Sequence, residues 1–306
     1  MSVPLPPGSP ATRQTLPLAA AAWLVGLTLA WGLGWPMMKY AVSEIPLYSF
    51  RITTAWGGGL LVLALSALQG NTVTLPRREW KPAVLSAFFN VTCWFYFTAL
   101  ALTLLPAGRA AVLAYTMPLF AIVAARVMLK EPITRRKTAG IALGVPAILM
   151  LAGDGVQRLG EAPAGVLAIL AAAATWGIGT VVQKRVWQTP ALTLIGWQLL
   201  LGGLPMGVMA VIHDSAPFAH LTLYGALAIA YVICFATLVG FWAWFTILAM
   251  APASVASIAV LPVPLVGLLS SALVLGEPIG WREMLALALI TAALATVLPL
   301  PRPFRR

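Results

Sequence analysis

Residues Pro106 to Ile133 read PAGRAAVLAYTMPLFAIVAARVMLKEPI, and residues Pro252 to Ile279 read PASVASIAVLPVPLVGLLSSALVLGEPI. At one constant offset, Pro106, Ala107, Ala110, Pro118, Leu119, Leu129, Glu131, Pro132 and Ile133 recur as Pro252, Ala253, Ala256, Pro264, Leu265, Leu275, Glu277, Pro278 and Ile279. Self-similarity across half a chain is the mark of an internal repeat. A second echo supports it: Ala30-Trp31-Gly32-Leu33-Gly34 with Lys39 matches Thr175-Trp176-Gly177-Ile178-Gly179 with Lys184. In a membrane chain, repeated halves place a ligand site where the copies meet.

The composition points to lipid. Of 306 residues, 61% are hydrophobic and 9% charged, and mean hydropathy is +0.94. A soluble domain carries about 25% charged residues. Continuous apolar runs of about 20 residues select membrane helices rather than strands, because every backbone polar group in lipid must be satisfied internally. The net charge of +11 fits basic cytoplasmic loops; with no groove-reading motif, nucleic acid is excluded as a partner. Cys93 and Cys234 fall inside apolar runs and read as packing residues.

The expected fold is an all-α membrane protein of ten transmembrane helices, in two inverted five-helix repeats around a central cavity. The spans lie near residues 17–38, 47–69, 82–104, 107–129, 134–153, 163–186, 191–212, 220–249, 252–275 and 282–300. Residues 1–15 form a disordered cytoplasmic N-terminus, 16–153 the first repeat, 163–300 the second, and 301–306 a basic cytoplasmic C-terminus. The first apolar run has no cleavage site after it and reads as a retained helix. With the N-terminus inside, Arg13, Arg77, Arg78, Lys81, Lys130, Arg135, Arg136, Lys137, Lys184, Arg185, Arg302, Arg305 and Arg306 face the cytoplasm. Lys39, Arg51, Arg109, Arg158 and Arg282 fall toward the outside. That bias sets both termini in the cytoplasm. Five spans per half being odd, the second half enters upside down.

All eight acids, with His213 and His220, lie in loops or at helix ends. No embedded carboxylate is available to relay protons. Lys39, Arg51 and Arg109 have two readings: interfacial residues that snorkel, or a cation that meets a substrate carboxylate. The aromatic residues are the sharper signal. Asn90, Trp94, Phe97 and Ala101 share a face of the third span, and Trp176, Thr180, Gln183 and Trp187 a face of the sixth. An amide in lipid needs a partner or water, so Asn90 and Gln183 beside indoles suggest either helix-to-helix contacts or a wet cavity with flat walls. The expected substrate-binding residues are Trp35, Lys39, Asn90, Trp94, Tyr115, Trp176, Thr180, Gln183, Trp242 and Trp244. Pro118, Pro262 and Pro264 are the expected hinges, since proline removes a backbone donor and bends a helix. Glycines in the first, second, sixth and seventh spans read as close-packing positions. No nucleophile, metal or phosphate-binding motif occurs, so neither an enzyme, a metal nor a cofactor is expected.

Ten spans in inverted halves, the repeated Pro…Glu-Pro motif, Ala30-Trp31-Gly32 and Arg51 early in span two together resemble the EamA family of the drug/metabolite transporter superfamily. The resemblance covers Leu16 to Leu300. It implies a ten-helix basket whose cavity is lined by helices one, three, four, six, eight and nine. The aromatic first, third and sixth spans look most like bacterial aromatic and neutral amino-acid exporters. The expected function is therefore inner-membrane export of such amino acids or related small metabolites, by alternating access and, with no embedded acid, facilitative. A broad-specificity drug/metabolite or nucleotide-sugar carrier is the alternative, with a membrane receptor or scaffold behind it. The expected partners are a small-molecule substrate and the lipid bilayer, for a monomer or weak homodimer.

Overall fold

The computed structural model describes residues 18–158, 162–184, 187–250 and 260–297. Residues 1–15, the start of the second repeat copy at Pro252, Ala253 and Ala256, and residues 301–306 lie outside the described residues. The described residues are helical, with turns and loops between helices. In chain order the helices are α1 (Leu18–Gly32), α2 (Gly34–Glu44), α3 (Leu47–Leu68), α4 (Arg77–Ala87), α5 (Trp94–Leu104), α6 (Ala107–Ala114) and α7 (Met117–Leu129). Then come α8 (Arg135–Arg158), α9 (Ala162–Val182), α10 (Ala191–His213), α11 (Leu223–Tyr231), α12 (Gly240–Met250), α13 (Val263–Leu275) and α14 (Trp281–Val297). Among the described residues, 6 helices are long and apolar enough to cross a membrane, and Val263–Leu275 is a shorter apolar helix. The chain is a multi-pass membrane protein.

Helix ends follow proline. Ile45 precedes Pro46 and Leu105 precedes Pro106; both take extended backbone, φ −126°, ψ 149° and φ −121°, ψ 155°, because proline's ring excludes the helical region for its predecessor. The first apolar run therefore continues to Glu44 rather than stopping near 38. The third span starts at Arg77, not near 82, because Pro76 supplies its N-cap; Arg77, Arg78 and Lys81 are helical, not loop residues.

Several spans are broken inside. Two stretches, Phe88–Cys93 and Val232–Val239, are π-helical; they join α4 to α5 and α11 to α12 at corresponding positions of the two copies. The fourth span breaks at Tyr115–Thr116. Pro118, near the N-terminus of α7, cannot donate to the carbonyl of Ala114, and the Thr116 hydroxyl turns back to the carbonyl of Leu113 at 2.7 Å. At the equivalent place, residues 260–262 form a turn and Pro264 opens α13. The proline positions thus lie beside discontinuities, not within continuous bent helices.

Packing follows the repeat. Helix α3 lies against α10, α8 against α14 and α6 against α13. The contact of α5 with α9 is matched by that of α12 with α1, and α7 with α9 by α13 with α1. Two acid staples, one buried and one half-buried, tie the first half to the second, with both carboxylates in the first half. Glu79, at the start of α4, accepts from the backbone N–H groups of Gln188 (2.7 Å) and Thr189 (3.2 Å) and from the Thr189 hydroxyl. Glu44, at the end of α2, accepts from the Thr222 N–H (3.0 Å) and hydroxyl (2.7 Å). Both Glu-Pro-Ile motifs follow a left-handed residue, Lys130 at φ 57° and Gly276 at φ 67°.

Those motifs sit at opposite ends of one span. Glu277 accepts from the N–H groups of Ala107 (2.6 Å) and Gly108 (2.8 Å) at the N-terminus of α6, where the helix dipole favours a carboxylate. Glu131 lies beyond the far end of the same span, about 33 Å away at 1.5 Å per residue.

The glycines allow this density. A Cβ on Gly177 would stand 2.7 Å from the backbone nitrogen of Ala121 and 2.9 Å from the carbonyl carbon of Phe120. One on Gly26 would meet nothing within 4 Å. Gly177→Ala is expected to destabilise the protein by about 1–3 kcal/mol through forced backbone separation, while Gly26→Ala is neutral or slightly stabilising. Thermal unfolding in detergent, followed by size-exclusion chromatography, compares the two.

Candidate functional site

The discontinuities converge on one hollow. A cavity of about 690 Å³ is lined by Tyr115, Met117, Pro118, Trp176, Thr180, Trp244, Val260 and Leu261, with Glu131, Lys137 and Lys184 at its Glu131 end. It shares Tyr115, Met117 and Trp176 with a deeper chamber of about 140 Å³, lined also by Trp31, Trp35, Met38, Arg51, Trp94, Phe95, Thr237 and Phe241. This volume is typical of a small-molecule site.

Two pairs of wall residues are repeat equivalents: Trp31 corresponds to Trp176, and Phe95 to Phe241. Trp94 and Trp176 have ring centroids 4.9 Å apart at 57°. Trp31 meets Phe241 at 6.2 Å edge-on and Trp244 at 6.1 Å. The π stretch Val232–Val239 shifts its hydrogen-bond ladder, and the carbonyl of Ala236 within it accepts from the Trp31 indole N–H at 3.0 Å. That bond fixes the ring's orientation. A cavity with such flat, apolar walls suits rings.

Of the residues expected from the sequence, Trp35, Trp94, Tyr115, Trp176, Thr180 and Trp244 line this space. So does Pro118, at the α6–α7 break; Pro262 and Pro264 lie at the turn into α13. The others stand elsewhere. Lys39 donates to the carbonyls of Leu102 and Leu105 (3.0 Å to the latter). Asn90 packs against Gly179, with its side-chain oxygen buried and unpartnered. Gln183 donates to Gln198 at 2.7 Å, and Gln198 donates to Ser86. Trp242 turns outward and meets Trp23 at 5.2 Å. The π turn at Phe88–Cys93 alters the helical register that the sequence spacing assumed for Asn90 and Trp94.

The snorkelling reading fails for two cations: Arg51 is 2% exposed and Arg109 9%. Arg109 pairs with Glu283 at 2.6 Å. Arg51 lines the deep chamber, and the sequence reading left it out of the site because depth along a helix does not fix which way a side chain faces. Among the described residues, no three His, Cys, Asp or Glu side chains are grouped to hold a metal.

The two ends differ. At the Glu277 end, Glu277 ties α13's outlet to α6, and Arg109–Glu283 lies beside it. At the other end, Glu131 pairs with Lys184 and, at 3.5 Å, with Lys137, leaving the cavity open between them. The hydrogen bond from Lys184 holds the Glu131 carboxyl below its ordinary value, and Lys137 adds to this. A depressed carboxyl pKa means that the pairing persists at neutral pH and is lost only as pH falls through the lowered value. Lys184→Ala is expected to move the Glu131 titration midpoint upward toward about 4.3, read by carbon-detected NMR of the labelled carboxyl in micelles.

The model of the EamA-like transporter family matches residues 18–153 and again residues 163–298. The "Uncharacterized transporter YoaV" of Bacillus subtilis (strain 168) is 25% identical over 269 residues, covering 87% of this chain and 92% of its own length. The "Probable amino-acid metabolite efflux pump" of Escherichia coli (strain K12) is 31% identical over 205 residues, covering 62% of this chain and 67% of its own length. A solved crystal structure superposes with TM-score 0.65 at 19% identity, covering 91% of this chain and 96% of its own, a likeness of fold.

Proposed function

Because the chain belongs to the EamA-like transporter family, we propose that it is an inner-membrane exporter of aromatic and other neutral amino acids or related small metabolites. It threads ten spans as two inverted halves, residues 16–153 and 163–300, with both termini in the cytoplasm and the Glu131 end facing inward. It works as a monomer or weak homodimer. The observation that carries the substrate reading is the paired aromatic lining, Trp31 with Trp176 and Phe95 with Phe241, around a cavity open at one end. Support also comes from the relative named an amino-acid metabolite efflux pump and, for the membrane, from the basic residues clustered at the Glu131 end.

Transport proceeds by alternating access. The Glu277 end is held shut by its carboxylate on the α6 N-terminus, and the Glu131 end admits the solute between Trp176, Trp244 and Tyr115. The breaks at Tyr115–Thr116 and residues 260–262 let α6 and α7, and their counterparts, reorient as separate rods. Among the described residues the cavity lining carries a carboxylate at the mouth, Glu131, and none deeper, which favours downhill exchange over proton coupling.

Counterflow with labelled tryptophan, set against a cationic dye, tests the substrate; exchange of the dye alone would favour a broad drug carrier. Trp94→Ala or Trp176→Ala is expected to weaken tryptophan exchange about three- to tenfold, the worth of one aromatic contact, with the protein still reaching the membrane. Proteoliposomes given a pH gradient alone should show no uphill tryptophan accumulation.

A further inference from the structure

The deep chamber holds a charge that no carboxylate among the described residues neutralises. The Arg51 guanidinium is 2% exposed. Its Nη2 donates to the Thr98 hydroxyl at 2.7 Å, and its Nη1 reaches only the Met38 sulfur at 3.6 Å. Its Nε is buried without a partner. The rings of Phe50 and Phe95 lie 4.7 and 5.0 Å from its central carbon. Ring faces offset part of a cation's desolvation but leave the hydrogen-bonding edge of the guanidinium unused. No carboxylate among the described residues forms an ion pair with it, and none lines its chamber. An unpaired charge in lipid is costly and points to function.

The same residue breaks the symmetry of the walls. With α3 and α10 aligned on Pro46 and Pro190 and on their Gly58-Gly59 and Gly202-Gly203 pairs, Arg51 falls opposite Ile195. Helix packing common to both halves therefore does not require it. It also lies in the second turn of α3, near the positive end of that helix's dipole, which adds to the attraction for an anion. The route to it passes Lys137 and Lys184, which outnumber Glu131 at the mouth.

Resting on the substrate reading above, we infer that Arg51 anchors the carboxylate of the transported molecule and that the amino group goes unrecognised. The site then takes ring-bearing monocarboxylates as a class, of which aromatic amino acids are one case. The carboxylate takes the unpartnered Nε together with Nη2 in the forked geometry particular to arginine, beside the Thr98 hydroxyl. The ring lies against the wall formed by Trp94, Trp176 and Phe241. A substrate ammonium finds no acid among the described residues that line the deep chamber.

The test is competition against labelled tryptophan counterflow by indole-3-propionate, which lacks the amine, and by tryptamine, which lacks the carboxylate. In the wild type, indole-3-propionate should compete within about threefold of tryptophan, and tryptamine about 10- to 100-fold more weakly, the range of a charge-assisted hydrogen bond. Arg51→Gln should erase the difference between the two competitors; a merely structural arginine would lower all exchange and leave the preference intact. Arg51→Lys, which keeps the charge but not the fork, should retain the preference at reduced strength and carries the test should Arg51→Gln fail to reach the membrane. Tryptamine competing as well as tryptophan in the wild type, or an unchanged preference in either variant, overturns the anchor while leaving tryptophan transport standing. Absence of tryptophan counterflow in the wild type overturns the substrate reading and the anchor together.

Discussion

A backbone in hydrocarbon has no water to bond to, so each N–H and C=O must find a partner within the protein. Regular helices meet that demand everywhere except at their interruptions. Here the interruptions are gathered. The break at Leu33, the π stretches Phe88–Cys93 and Val232–Val239, and the turns at Tyr115–Thr116 and residues 260–262 all adjoin the cavity. Irregular backbone is tolerated where protein or water takes up the freed groups, and two such groups are visibly taken up. Ala236 accepts from an indole N–H, and Leu113 accepts from Thr116. The cavity and the breaks are therefore one feature: the lining is where the helical ladder is allowed to fail.

The repeat shapes how the rest is held. Acid–threonine staples Glu79–Thr189 and Glu44–Thr222 join the halves, each with its carboxylate in the first half and its threonine in the second. The left-handed residue before each Glu-Pro-Ile motif is lysine in one copy and glycine in the other; the geometry was kept although only glycine adopts it without steric cost. The motifs' carboxylates have different partners, helix N–H groups for Glu277 and ammonium groups for Glu131. The same motif therefore makes different contacts at the two ends of the span.

Against this near-symmetry, the charged content of the cavity is one-sided. Two aromatic pairs of the wall, Trp31 with Trp176 and Phe95 with Phe241, match across the repeat, and Arg51 falls opposite Ile195. Two matched aromatic pairs and one unmatched cation make the lining symmetric in part of its apolar surface and one-sided in charge.

The sequence by itself determined the membrane class, the duplicated Pro…Glu-Pro frame and the aromatic character of the site, because apolar run length, a constant offset and tryptophan clusters survive any rotation of a helix about its axis. Rotation is what the tertiary structure decided. The π turns and the glycine contacts set which face each span presents, so Trp35, Trp94, Tyr115, Trp176, Thr180 and Trp244 line the cavity while Asn90, Gln183 and Trp242 face neighbouring helices or outward. The same holds for charge. Lys39 and Arg51 look alike as cations near the ends of apolar runs, yet one reaches backbone carbonyls and the other is enclosed by phenylalanine rings, since the partner of a side chain comes from another helix, far away along the chain.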